Sequence, residues 1–82
     1  MPKILIIEDD LAFGLMIQKW LMRKGFDTEK ATSLRAARQL LTHASFDIIL
    51  SDLRLPDGDG IGLLTLLRGQ GDDTPFIVMT SY

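Results

Sequence analysis

The chain has 82 residues, room for one small domain. Nine Lys and Arg against eleven Asp and Glu leave a net charge of −2, which argues against a surface dominated by nucleic-acid or anionic-membrane binding. With no cysteine there is no disulfide framework, thiolate metal site or thiol nucleophile, and 46% hydrophobic with 24% charged residues is an ordinary globular composition.

Met1-Pro2-Lys3 leads into only four apolar residues, Ile4-Leu5-Ile6-Ile7, before Glu8-Asp9-Asp10. That run is too short and too acidic in its flank for a signal peptide. No apolar stretch approaches the roughly 20 residues of a membrane span. The lack of cysteine permits a reducing cytoplasm, and a cytoplasmic protein without membrane contact is the expectation. Ile4 to Ile7 is aliphatic throughout instead of alternating, the pattern of a strand buried on both faces of a parallel sheet. Residues 11–24 place Phe13, Met16, Ile17, Trp20 and Leu21 on one helical stripe, with Asp10 as N-cap and Gly25 just past the end. The polar run 26–31 suits an edge strand. Thr32 or Ser33 can cap a second helix, in which Leu34, Ala37, Leu41 and Ala44 recur at intervals of three and four. Ile48-Ile49-Leu50 reads as another buried strand, 61–68 as a third helix ending near Gly69-Gln70-Gly71, and 76–79 as a last strand. Strands alternating with helices give successive βαβ units, and right-handed crossovers make a parallel α/β sheet with helices on both faces.

The acidic residues fall where such a sheet binds ligands. Glu8 and Asp9 follow the first strand, Asp52 ends the third and Thr80 ends the fourth. All strand C-termini share one edge of a parallel sheet, and ligands bind there where the strand order reverses. If the first and third strands are neighbours, the carboxylates of Glu8, Asp9 and Asp52 converge and raise one another's pKa unless a cation sits among them. Oxygen ligands without His or Cys suit magnesium. Acids decorating a helix N-terminus would explain Asp10, and explain Glu8 and Asp9 less well. Asp52, on a rigid strand end before the extended Leu53-Arg54-Leu55-Pro56 loop, can act as a nucleophile toward phosphorus. Thr80 offers a hydroxyl at the same edge, or is simply a β-branched strand residue. Asp57-Gly58-Asp59-Gly60 opens like a calcium loop, but Ile61 and Arg68 stand where oxygen ligands are required. Gly58, Gly60 and Gly62 do not follow a strand directly, as a dinucleotide fingerprint would, and serve the turn and close backbone approach instead.

Three segments together resemble a bacterial two-component response-regulator receiver domain of the CheY-like family. Residues 3–10 are similar to its first strand and acidic pair, 46–60 to its phosphoacceptor strand and following loop, and 75–82 to the strand ending in its switch threonine. The resemblance implies a flavodoxin-like doubly wound sheet of strand order 2-1-3-4-5. It further implies a receiver domain spanning 1–82, C-terminally truncated because the family's fifth strand, with its lysine, and last helices would follow Tyr82. It makes Asp52 the acceptor of a phosphoryl group from a histidine kinase or phosphotransfer protein. Asp9 and Asp52 would bind Mg2+ directly, with Glu8 through water and the Arg54 carbonyl completing the protein ligands. Thr80 would contact the phosphoryl group, and Arg54 and Tyr82 would modulate dephosphorylation. His43 matches no family motif and is expected at the surface.

A phosphoacceptor of this kind is not an enzyme beyond its own phosphorylation and dephosphorylation. Transcription regulation is the commonest outcome in the resembled family, but no residue here argues for DNA contact. The alternative is a non-phosphorylated interaction module that self-associates, or swaps a strand, through the open edge of the fourth strand. A hydrolase using Asp52 is less well supported, since no second acid, Lys or His is evidently placed to complete that chemistry.

Overall fold

The aliphatic run at the N-terminus forms the strand around which the rest is laid. In the computed structural model, which describes residues 1–80, the elements are β1 (Lys3–Ile7), α1 (Leu11–Arg23), β2 (Asp27–Ala31), α2 (Leu34–His43), β3 (Ile48–Asp52), β4 (Arg54–Leu55), β5 (Gly58–Asp59), α3 (Gly60–Gly69) and β6 (Phe76–Met79). The main sheet has the order β2-β1-β3-β6 and is parallel throughout, with Ile4 opposite both Thr28 and Ile48, and Ile49 opposite Phe76. This is the α/β, flavodoxin-like arrangement expected from the sequence.

Successive side chains of a strand point to opposite faces, which divides the core in two. Leu5, Ile7 and Ile49 pack under α2 and α3 with Ala37, Leu63 and Leu67, while Ile4 and Ile6 pack under α1 with Leu21. Helices thus cover both faces. Leu5, Ile6, Ile7 and Ile49 have no exposed surface, and each such side chain contributes roughly 1.5–3 kcal/mol of burial.

The helix ends follow the sequence closely. Asp10 Oδ1 accepts the Phe13 N–H at 3.0 Å and Ser33 Oγ accepts the Ala36 N–H at 3.1 Å, so Ser33 rather than Thr32 caps α2. Gly25 takes a φ of +94° just after α1, a conformation that favours glycine.

Three expectations change. Of the α1 stripe, Leu21 is buried and Ile17 half-buried, whereas Phe13, Met16 and Trp20 are 38%, 58% and 55% exposed. The sheet beneath α1 covers only a narrow arc of the helix, where Gly14 and Leu21 are buried and Gly14 faces the Glu8 and Lys30 side chains. Ala44 lies past the end of α2 in extended conformation. The stretch after Asp52 is not an open loop: β4 and β5 pair as a small antiparallel hairpin.

Candidate metal and phosphoryl site

Because β1 and β3 are neighbours, Ile7 lies opposite Ser51, and Glu8 and Asp9, just after β1, meet Asp52, the last residue of β3, at one sheet edge. One carboxylate oxygen from each of Glu8, Asp9 and Asp52 lies within 4.8 Å of the others. Glu8 is 6% and Asp52 5% exposed, while Asp9 faces solvent. The Glu8 backbone is anchored by its N–H donating to the Ala31 carbonyl at 2.9 Å. Its carboxylate accepts the Asp10 N–H at 3.1 Å.

Burial pushes the Glu8 carboxyl up from 4.5 to about 7, against the lowering effect of the Asp10 N–H, with the Asp52 charge and hydrogen bonds to Asp9 and Asp52 adding to the rise. Among the described residues the one ion pair is Lys3 with Glu29 at 3.0 Å, and none involves these acids. A cluster of hard oxygen donors, two of them buried and none neutralised by a protein cation, fits a hard divalent ion such as magnesium.

Asp52 is held by its backbone. The following Leu53 N–H donates to the Met79 carbonyl at 2.8 Å, and Ser51 Oγ donates to the Asp52 carbonyl at 2.9 Å. Gly60 closes over both: a Cβ there would lie 2.6 Å from the Asp52 carbonyl oxygen and 2.9 Å from Ser51 Oγ. The Gly60 N–H donates to the Leu53 carbonyl at 2.8 Å. Antiparallel pairs alternate in hydrogen bonding, so the next pair, Arg54 with Asp59, turns the Arg54 carbonyl away from β5.

A cavity of about 240 Å3 lined by Asp9, Asp52, Leu53, Arg54 and Thr80 completes the site. The structure thus brings Glu8, Asp9, Asp52, Arg54 and Thr80 to one edge, with Thr80 immediately after β6. Tyr82 lies outside the described residues. His43 is exposed at the end of α2, which runs back toward the opposite edge of the sheet.

Two features were not anticipated from the sequence. Ser51, fully buried, braces the Asp52 backbone. Asp57 crosses to α2, where its carboxylate accepts the Leu34 N–H at 2.8 Å and the Arg35 N–H at 2.9 Å. These bonds hold its pKa below the usual value for aspartate and fasten the hairpin after Asp52 to α2. The only signal was a Pro-Asp-Gly turn, which does not name its distant partner.

Residues 4–82 match the model of the response regulator receiver domain. The response regulator protein PilR of Pseudomonas aeruginosa is 35% identical over 80 residues, covering 98% of this chain and 18% of PilR. The swarming motility regulation protein RssB of Serratia marcescens is 37% identical over 78 residues, covering 95% of this chain and 36% of RssB. The chain therefore spans well under half the length of these relatives. Among solved structures, the MaeR response regulator bound to beryllium trifluoride superposes with a TM-score of 0.91 at 36% identity, over 100% of this chain and 69% of MaeR.

Proposed function

The chain belongs to the response regulator receiver domain family, and from that premise we propose that it is a phosphoacceptor of a two-component phosphorelay, receiving a phosphoryl group on Asp52. The observation that supports this most directly is the juxtaposition of a buried, backbone-clamped Asp52 with two further carboxylates and a cavity reaching Thr80. The donor is the phosphohistidine of a histidine kinase or phosphotransfer protein. An Asp52 carboxylate oxygen attacks phosphorus in line, the P–N bond to the imidazole breaks, and the departing nitrogen takes up a proton.

Glu8, Asp9, Asp52 and the Arg54 carbonyl would hold a magnesium ion, which when bound neutralises charge on the phosphoryl oxygens. The clamp of Ser51 and Gly60 fixes the nucleophile's backbone so that little freedom is lost on reaction. The Thr80 hydroxyl donates a hydrogen bond to a phosphoryl oxygen. The exposed Arg54 side chain, at the cavity mouth, governs how water reaches the acyl phosphate, and Tyr82 shares that role.

Beryllium fluoride with magnesium, a mimic of the bound phosphoryl group, tests this reading. Saturable amide shifts centred on Asp52 and Thr80, lost in Asp52→Asn, are expected. An equal response from the variant would overturn it.

A second reading rests on the sheet edge. β6 pairs with β3 on one side, and Ile77 is 52% exposed. Self-association through this edge would cover both features, and a strictly monomeric chain at high concentration would exclude it.

A further inference from the structure

On the face of the sheet opposite the α1 side, α2 and α3 leave a groove between them. Its wider part, about 460 Å3, is lined by residues that include Leu34, Arg35 and Arg38 of α2 and Gly62, Leu63 and Leu66 of α3. A narrower part of about 170 Å3 shares Arg38, Leu63 and Leu66 and continues toward Gln70. The wider part alone falls within the roughly 300–1,000 Å3 of ligand-sized clefts. Arg35 and Arg38 are one helical turn apart, so both stand on the same wall above an apolar floor.

The charges of the lining are unequally engaged. Asp57 spends its carboxylate on the α2 N–H groups. Asp72 accepts the Thr74 N–H at 3.0 Å and the Thr74 hydroxyl at 2.6 Å. Arg68, outside the wider groove, donates to the Asp72 and Thr74 carbonyls at 2.8 and 2.9 Å. The guanidinium groups of Arg35 and Arg38, by contrast, form no hydrogen bond or ion pair with any described residue. The groove therefore presents two forked cations without hydrogen-bond partners among the described residues, Arg35 close enough to Asp57 to help lower its pKa, beside half-buried Leu34 and exposed Leu66 over a buried Leu63.

We propose that this groove docks an acidic amphipathic peptide segment of a partner protein. Bulky apolar side chains of the segment enter between Leu34, Leu63 and Leu66. Flanking carboxylates pair with Arg35 and Arg38, whose planar forks match a carboxylate in two parallel hydrogen bonds. Gly62 lines the groove, and a Cβ there meets only Asp59 Oδ1, at an ordinary 3.5 Å, so a larger residue can be placed there without a backbone clash. This surface is separate from the Asp52 cavity and does not depend on its chemistry.

The test is selection of a displayed library of random twelve-residue peptides on the intact chain, with affinities of the enriched peptides measured in solution. Enriched peptides should carry Asp or Glu beside Leu, Met or Phe, and should weaken as salt rises. They should bind at least tenfold more weakly to the Arg35→Glu/Arg38→Glu variant and to Gly62→Leu. Melting curves and the beryllium fluoride response of both variants should match those of the parent, which separates a blocked groove from a damaged fold. Three results would overturn the proposal: no enrichment over an unrelated control, enrichment of non-acidic peptides, or equal binding by both folded variants. Concentration-dependent pairing of the chain through this groove, without library enrichment, would assign it to a second copy and overturn it equally.

Discussion

Glu8 is the residue at which pH acts on the site. Its carboxyl titrates near pH 4.5 when unfolded and about 7 when folded. Below pH 4.5 both states hold the proton. Between 4.5 and 7 the unfolded chain releases it first, so stability present at low pH is lost as pH rises. Urea unfolding of the metal-free protein at pH 5 and pH 7.5 should show this loss relative to Glu8→Gln, which has no proton to release. Asp57 and Asp72, both held below their usual values, act in the opposite sense at lower pH, and comparison with the Gln variant removes their contribution. Protons and magnesium compete for the same oxygens, so added Mg2+ should raise the melting temperature more at pH 8 than at pH 5.5. Gly60 is the second residue-scale case. Replacing it with Ala forces a Cβ to 2.6 Å from the Asp52 carbonyl, at a cost of roughly 1–3 kcal/mol. Thermal unfolding should show that cost, and the beryllium fluoride shifts of Asp52 should weaken with it.

At the scale of elements, the start of α2 shows what spacing reveals and what it conceals. The Ser33 cap is readable because it acts on Ala36, three residues along. Asp57 acts on Leu34 and Arg35 across separations of 23 and 22 residues, which no local pattern records. Ser33→Ala should cost about 1 kcal/mol in chemical denaturation. Asp57→Ala should speed hydrogen exchange of the Leu34 and Arg35 amides while leaving the amides of β1 unchanged. Because the folded pKa of Asp57 is depressed, its contribution is present above the unfolded value of 3.8 and is lost as pH falls through the folded value. The Leu34 and Arg35 amide shifts should therefore move with a midpoint below 3.8. The β4–β5 hairpin was concealed for a similar reason. Two-residue strands carry no periodicity, and their pairing depends on where β3 and α3 leave the chain.

In the molecule as a whole, the α1 side of the sheet is unevenly covered. Ile48 and Leu50 are half-buried, Ile77 is 52% exposed, and Phe13, Met16 and Trp20 stand exposed on α1. If the open edge of β6 mediates self-association, sedimentation should show concentration-dependent mass, and Ile77→Lys should suppress it by placing a charge on the face to be covered. Trp20, 55% exposed, offers an optical report should the contact extend to α1: its emission should shift to shorter wavelength as concentration rises. Among the described residues no helix is long and apolar enough to cross a membrane.

The sequence by itself determined the parallel α/β class, the core strands, the α1 cap, the α2 cap to within Thr32 or Ser33, and the identity of the acids. These depend on neighbouring residues and on chain order, and both are written along the chain. Unbroken aliphatic runs at Ile4 to Ile7 and Ile48 to Leu50 allow little other than doubly covered strands. Tertiary structure alone decided that Glu8 and Asp52 are nine-tenths or more buried, that Glu8 is pushed to about 7, and that Gly60 and Ser51 clamp the Asp52 backbone. It also decided that most of the α1 stripe faces outward and that α2 and α3 leave a groove with Arg35 and Arg38 on its α2 wall. Burial, desolvation and the gaps between elements depend on how packed surfaces meet, and hydrophobic spacing along one helix does not specify how wide an arc its neighbours will cover.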